Sequence, residues 1–186
     1  MSRLAVFFAQ GYEEVEALTV IDICRRGGLE ADMVSVTEDM EVAGSHGILV
    51  KMDKRFAELD FEKYDMLVLP GGMPGTKNLE AHEGLMARVD EFYQKGKYIG
   101  AICAAPSIFG HRGILKGRRA CSYPSFEGHL EGAEVTAGPV EVAGNVITSR
   151  GMGTAIDFGL AIVSVFCGEE KAGELAKGIV YGRGRF

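Results

Sequence analysis

Residues 97–110 read KYIGAICAAPSIFG. Tyr98 to Ile102 is a short apolar run of strand length. Cys103 closes it, two alanines and a proline follow, and from Ser107 to the Gly113 region the pattern is helical. A side chain at a sharp strand-to-helix turn projects from the end of a sheet, and such a turn closes only if its neighbours are small. Ala104 and Ala105 meet that need. Pro106 suits the first helical position, where its missing N–H would have no partner anyway.

The same alternation runs along the rest of the chain. Leu4–Ala9, Ala31–Val36, Tyr64–Leu69 and Tyr98–Ile102 read as strands, and Ala120–Ser122 as a short one. Gly47–Met52 reads as an edge strand or hairpin arm. Val140–Ser149, with Ala143-Gly144-Asn145 at its centre, reads as a hairpin. Glu13–Arg26, Leu85–Gln94, Thr154–Phe166 and Glu169–Val180 carry helical spacing. Strands alternating with helices imply βαβ units and a mostly parallel sheet covered on both faces. No repeat, linker or boundary divides the chain, so residues 1–186 read as one α/β domain.

Composition narrows the function classes. The net charge is −6 and no basic stripe is visible, which disfavours nucleic acid. Arg25-Arg26 and Arg118-Arg119 read as solvated turns, and Arg183 and Arg185 lie in a Gly-rich end that reads as frayed. No apolar run reaches the roughly 18 residues of a membrane span. The start, MSRLAVFFAQG, is too short in apolar residues for a signal peptide and reads as a first buried strand. The four cysteines, Cys24, Cys103, Cys121 and Cys167, contain no C-x-x-C pair. That disfavours the usual metal and redox motifs and suits reduced thiols in a cytoplasmic protein. Cys24 and Cys167, within helical patterns, read as buried small apolar residues.

In a sheet of this kind, sites lie at the carboxyl ends of the strands. Three exits stand out: AQGYEEVE (9–16), LPGGMPG (69–75) and AICAAP (101–106). At the third, a thiol at a helix N-terminus is expected to have a pKa below the free value of about 8.5. The same pattern also fits a buried cysteine ending a core strand. At the first, a helical wheel of about 100° per residue puts Ile23, Val20, Cys24, Ala17 and Ile21 on one arc. Glu13 and Glu16 fall inside that arc and Glu14 at its edge. The helix dipole explains acidic residues in a first turn, but it explains Glu16 less well. A carboxyl there would stay protonated near neutral pH and donate to a neighbouring anion. If the first strand and the Cys103 strand are neighbours, Glu16 and Cys103 share a pocket. At the second exit, Gly71 and Gly72 leave backbone N–H groups uncovered, in a form that fits an oxyanion or a plain turn.

GYEEVEAL, YDMLVLPGG, AICAAP and TSRGMGTAIDFGLAIV together resemble the ThiJ/PfpI superfamily, in its parkinsonism-associated deglycase branch, in order and over nearly the whole chain. The resemblance implies a flavodoxin-like, doubly wound fold and a homodimer. It implies that Cys103 is the reactive thiol, that Glu16 is the carboxylic acid bonded to it, and that the backbone of Gly71 and Gly72 faces the sulfur. It implies cofactor-independent glyoxalase or deglycase activity on small aldehydes or glycated groups, with no metal, and a place in oxidative-stress protection with chaperone-like behaviour.

Departures from the family refine this. Ala104 stands where the protease-like branch has His, which argues against peptidase chemistry. RGMGTAIDF (150–158) offers no His for amidotransferase chemistry. Tyr123 replaces a His that some relatives place before a proline, and His46 replaces a frequent Arg; His46 reads as a loop residue able to line the pocket. Gly151-Met152-Gly153 resembles an anion-binding helix start, but in the family it borders the dimer and the neighbouring pocket. The expected roles are therefore Cys103 and Glu16 in catalysis, the backbone at Gly71, Gly72 and Ala104 around an oxyanion, and Glu13, His46 and Tyr123 at the pocket. The alternative is a redox-sensing stress protein whose Cys103 is oxidised to sulfinic acid.

Overall fold

The apolar runs assemble into a twisted sheet between two helical layers, seen in a computed structural model that describes residues 1–182. The Arg183 and Arg185 end lies outside the described residues. In chain order the elements are β1 (Arg3–Phe8), α1 (Glu14–Arg26), β2 (Glu30–Ser35), β3 (Glu41–Ala43), β4 (Leu49–Lys51), β5 (Lys54–Arg55), β6 (Met66–Leu69), α2 (Gly75–Glu80) and α3 (Glu83–Gln94). There follow β7 (Tyr98–Ile102), α4 (Pro106–His111), β8 (Arg119–Ala120), β9 (Glu134–Val135), β10 (Val140–Ala143), β11 (Val146–Ser149), α5 (Ala155–Cys167) and α6 (Glu169–Gly178).

The main sheet has seven strands in the order β10-β11-β7-β6-β1-β2-β5. All its pairs are parallel except β10 with β11, the hairpin expected over 140–149. Successive side chains point to opposite faces, and both faces are covered, so the inner strands are apolar throughout. Ala5, Phe7, Leu67, Leu69 and Ile99 pack with Val89, Phe92 and Phe109 on one face. Leu4, Val6, Phe8, Met66 and Val68 pack with Val20, Ile23, Phe158 and Ile162 on the other. From β1 the chain moves to β2 on one side; β6 returns to the other side of β1 and leads to β7. The carboxyl ends of β1 and β6 thus flank the crevice where the winding reverses.

Several expectations change. Gly47–Met52 resolves to a hairpin arm, because Leu49–Lys51 pairs antiparallel with Glu41–Ala43 outside the main sheet. The short strand expected at Ala120–Ser122 lies at Arg119–Ala120 and pairs with Glu134–Val135. Cys24 is buried as expected, but Cys167 is exposed, since it ends α5 where neighbouring elements no longer cover the helix. Among the described residues no helix is long and apolar enough to cross a membrane.

Candidate active site

β7 turns into α4 through Cys103, whose φ is +65°, left-handed for a residue with a side chain. That backbone costs about 1 kcal/mol or more and persists only where its surroundings impose it. Four hydrogen bonds do so. Cys103 N–H donates to Ser149 O at 3.0 Å, Tyr123 N–H donates to Cys103 O at 2.9 Å, and Ala105 N–H donates to Ile102 O at 3.1 Å. The Ser107 hydroxyl donates to Ala104 O at 2.7 Å. Pro106 opens α4 as expected, and the half-buried sulfur is carried beyond the end of the sheet.

Glu16 meets it from α1. Glu13 caps that helix, its Oε2 accepting from Glu16 N–H at 2.7 Å. The Glu16 residue is 1% exposed, its carboxyl stands beside the Cys103 thiol so that each shifts the other's pKa, and its Oε2 accepts from Gly71 N–H at 3.0 Å. β1 and β7 are not neighbours, because β6 lies between them. The pocket forms all the same, because the carboxyl reaches over the end of β6, where glycine leaves the path open. A β-carbon at Gly71 would stand 2.6 Å from the Cys103 β-carbon and 2.7 Å from Glu16 Oε2. Gly72 has φ +90° and packs so closely on the chain at Tyr12–Glu13 that a β-carbon would lie 2.3 Å from Glu13 N. The backbone N–H groups of Gly72 and Ala104 face the sulfur. The Gly71 N–H is engaged by Glu16 instead.

The wheel misjudged the other two acids. Glu13 precedes the helix, so helical angles do not apply to it, and it is only half-buried. Glu14 is 4% exposed, covered not by the sheet but by the turn between β3 and β4. Its Oε1 accepts from His46 N–H at 2.7 Å, and its Oε2 accepts from the Ser45 hydroxyl at 3.2 Å and lies 3.0 Å from His46 Nδ1. Burial alone would raise the Glu14 pKa, but the hydrogen bonds from His46 and Ser45 bring it down to about 2. His46 itself is exposed and sits on Glu14, which raises its pKa.

Burial pushes Glu16 up to about 7, with the Glu13 charge adding to it and the bonds from Cys103 and Gly71 opposing. The Cys103 thiol is also raised, first by burial and then by the charge and hydrogen bond of Glu16. This corrects the expected low thiol pKa. α4 has only six residues, so its dipole is small and the Ala104 and Gly72 N–H groups do not offset burial. As the pH rises through about 7 the pair loses its first proton, and the one that remains lies between the carboxyl and the sulfur.

The pair opens toward a cleft of about 330 Å³ lined by Tyr123, Pro124, Arg150, Gly151, Met152 and Thr154. A β-carbon at Gly151 would stand 3.5 Å from the Tyr123 ring, 3.9 Å from Glu16 Oε1 and 4.0 Å from Cys103 Sγ. Gly151 thus joins the cleft to the pair, and Tyr123, half exposed, forms a wall. Arg150 and Thr154 carry no sequence signal of their own, and Met152 stood out only as the middle of the glycine spacing at 151–153. A larger groove of about 540 Å³ between α1 and α5, lined by Leu18, Ile23 and Ile156 among others, has no cysteine or histidine in its lining.

Relatives carry this frame. The chain matches the DJ-1/PfpI family over residues 2–165. It is 36% identical over 176 residues to Protein DJ-1 homolog B of Arabidopsis thaliana, covering 94% of this chain but 40% of that protein. It likewise spans 44% of the Arabidopsis homolog A, so it is less than half the length of these two relatives. It is 32% identical over 189 residues to the glutathione-independent glyoxalase DJ-1 of Schizosaccharomyces pombe, covering 96% of this chain and 98% of that protein. The solved structure of oxidised Toxoplasma gondii DJ-1 superposes with a TM-score of 0.93 at 34% identity, covering 98% of this chain and 100% of that one. With that coverage and a shared fold, this chain belongs to the DJ-1/PfpI family.

Proposed function

We propose that this protein is a cofactor-independent, cysteine-dependent glyoxalase or deglycase acting on methylglyoxal-type α-oxoaldehydes or their early adducts. The observation that carries the reading is the juxtaposition of the buried Glu16 carboxyl and the Cys103 thiol across the bare backbone of Gly71, with the Gly72 and Ala104 N–H groups facing the sulfur. With the proton on Glu16, the Cys103 thiolate attacks the aldehyde carbon, and the carbonyl oxygen takes the proton from Glu16 to give a hemithioacetal. The Glu16 carboxylate then removes the proton from that carbon and returns it to the neighbouring carbon through an enediol, leaving a thioester. Water hydrolyses the thioester to the hydroxy acid and restores the thiol. The Gly72 and Ala104 N–H groups hold the oxyanion. The overall reaction adds one water to methylglyoxal to give lactate. A relative named as a glutathione-independent glyoxalase supports this reading.

A second reading, a redox-sensing stress protein with chaperone-like behaviour, draws on the relative solved in oxidised form. Turnover separates them. Methylglyoxal consumption with lactate detection is measured without added cofactor for wild type, Cys103→Ala and Glu16→Gln. Many turnovers by wild type, lost in both variants, support the enzyme. No turnover, with Cys103 still the fastest thiol to oxidise in dilute peroxide, supports the sensor. The family resemblance further suggests a homodimer, which sedentation of the purified chain by analytical ultracentrifugation would test.

A further inference from the structure

The cleft beside the catalytic pair has walls that the bond-making steps do not use. Tyr123 is 50% exposed and Met152 57% exposed, two large apolar side chains left open around about 330 Å³. The polar groups of the same cleft are already engaged. The Thr154 hydroxyl accepts from Gly151 N–H at 3.1 Å and lies 2.8 Å from the Ser149 hydroxyl. The Arg150 guanidinium donates to Ala137 O and Glu127 Oε1, each at 3.4 Å, and its Nε is buried. The side chains left for a ligand are therefore the Tyr123 ring and the Met152 thioether, which suits a pocket that binds through apolar contact.

These walls are registered to the sulfur. Tyr123 N–H donates to Cys103 O at 2.9 Å, so the ring is carried by a residue bonded to the elbow itself. The position a β-carbon would take at Gly151 is 4.0 Å from Cys103 Sγ and 3.5 Å from Cδ2 of Tyr123, ordinary contact distance to both. In the hemithioacetal of an α-oxoaldehyde R–CO–CHO, the first atom of R is three bonds from the sulfur. An R group leaving the sulfur along Gly151 therefore runs onto the tyrosine ring.

We propose that this cleft takes the R group, and that Tyr123 and Met152 set specificity by favouring α-oxoaldehydes with an aryl R over glyoxal, where R is hydrogen. The proposal rests on the reading of Cys103 as the group that attacks the aldehyde. An aryl R packs offset or edge-to-face on the Tyr123 ring. The unbranched, polarisable Met152 side chain adapts to what the ring leaves uncovered. Each apolar atom of R removed from water adds to binding, and hydrogen offers none.

Initial rates are measured for glyoxal, methylglyoxal and phenylglyoxal, the last gaining one water to give mandelate. The ratio of kcat/KM for phenylglyoxal to that for glyoxal should fall at least about fivefold in Tyr123→Ala and in Met152→Ala, and Tyr123→Phe should keep it. Val180→Ala, at an exposed apolar residue outside this cleft, is the control and should keep the ratio too. Binding is read separately with acetophenone, which has the aryl ketone but no aldehyde. Its probe is the Met152 methyl resonance, assigned by its loss in Met152→Ala. Acetophenone should shift that resonance in wild type and bind at least about fivefold more weakly to Tyr123→Ala, while acetone shifts it far less. Turnover with a ratio unchanged in both alanine variants overturns the proposal and leaves the glyoxalase reading standing. No turnover of any aldehyde, with acetophenone still held at Met152, supports the apolar site and removes the glyoxalase reading. Neither turnover nor binding overturns both.

Discussion

A β-carbon at position 71 would stand 2.6 Å from the Cys103 β-carbon and 3.1 Å from its sulfur. Those neighbours are a strained elbow and a buried carboxyl, and neither can retreat cheaply. Gly71→Ala is therefore expected to destabilise the fold by about 1–3 kcal/mol and to lower glyoxalase turnover at least about tenfold by parting Glu16 from the thiol. Thermal melts and lactate production measure both. The shared proton has its own signature. The alkylation rate of Cys103 against pH should rise in two steps for wild type, the first near pH 7 where Glu16 titrates. Glu16→Gln should show a single step. One step in both proteins would mean that the two acids titrate independently.

The elbow between β7 and α4 is where an element is held away from its relaxed geometry. Glycine adopts φ +65° without the clash that a β-carbon brings. Cys103→Gly and Cys103→Ala both remove the thiol, but only the first relieves the backbone. The glycine variant should be more stable than the alanine variant by about 1 kcal/mol, measured by denaturant unfolding, with neither active. Equal stability would show that the hydrogen bonds to Ser149 and from Tyr123 impose no strain. At α1 the cap is the corresponding device. Glu13→Ala removes the acceptor for Glu16 N–H and should cost about 1 kcal/mol, with a fall in turnover because the residue released is the one that holds the proton.

Across the whole molecule, stability against pH should be bounded on both sides by named carboxyls. Asp32 accepts from Tyr64 OH at 2.5 Å and from Arg3 Nε and Lys54 Nζ at 3.0 Å, joining β1, β2 and β5 to the chain before β6. Burial raises its pKa, but these three bonds outweigh burial and hold it below 3.8. Its contribution is therefore present above pH 3.8 and lost as the pH falls through its folded value. Glu16 runs the other way. Its pKa rises from 4.5 to about 7, so its contribution is complete below pH 4.5 and lost as the pH rises through about 7. Urea unfolding across pH should show Asp32→Asn less stable than wild type by about 2 kcal/mol at neutral pH and closer to it in acid. Glu16→Gln should match wild type near pH 4 and exceed it near pH 8, by on the order of 3 kcal/mol.

What the sequence determined by itself is local. Apolar runs of strand length, helical spacing and the small residues after Cys103 specify a mostly parallel α/β sheet and a thiol at a strand exit, because periodicity and turn sterics act over a few neighbours. Glu16 was legible because a charge on an apolar arc is costly wherever that arc packs. Other features were set by contacts between distant segments. The strand order places β6 between β1 and β7, so Glu16 meets Cys103 only across the bare backbone of Gly71. The burial of Glu14 depends on a hairpin about thirty residues on, at Ser45 and His46. The direction of the Cys103 pKa depends on how deeply the assembled core desolvates the sulfur, and no spacing along the chain encodes that depth. Arg150 and Met152 join the cleft for the same reason: the wall they form exists only once the loop after β11 is laid against Tyr123.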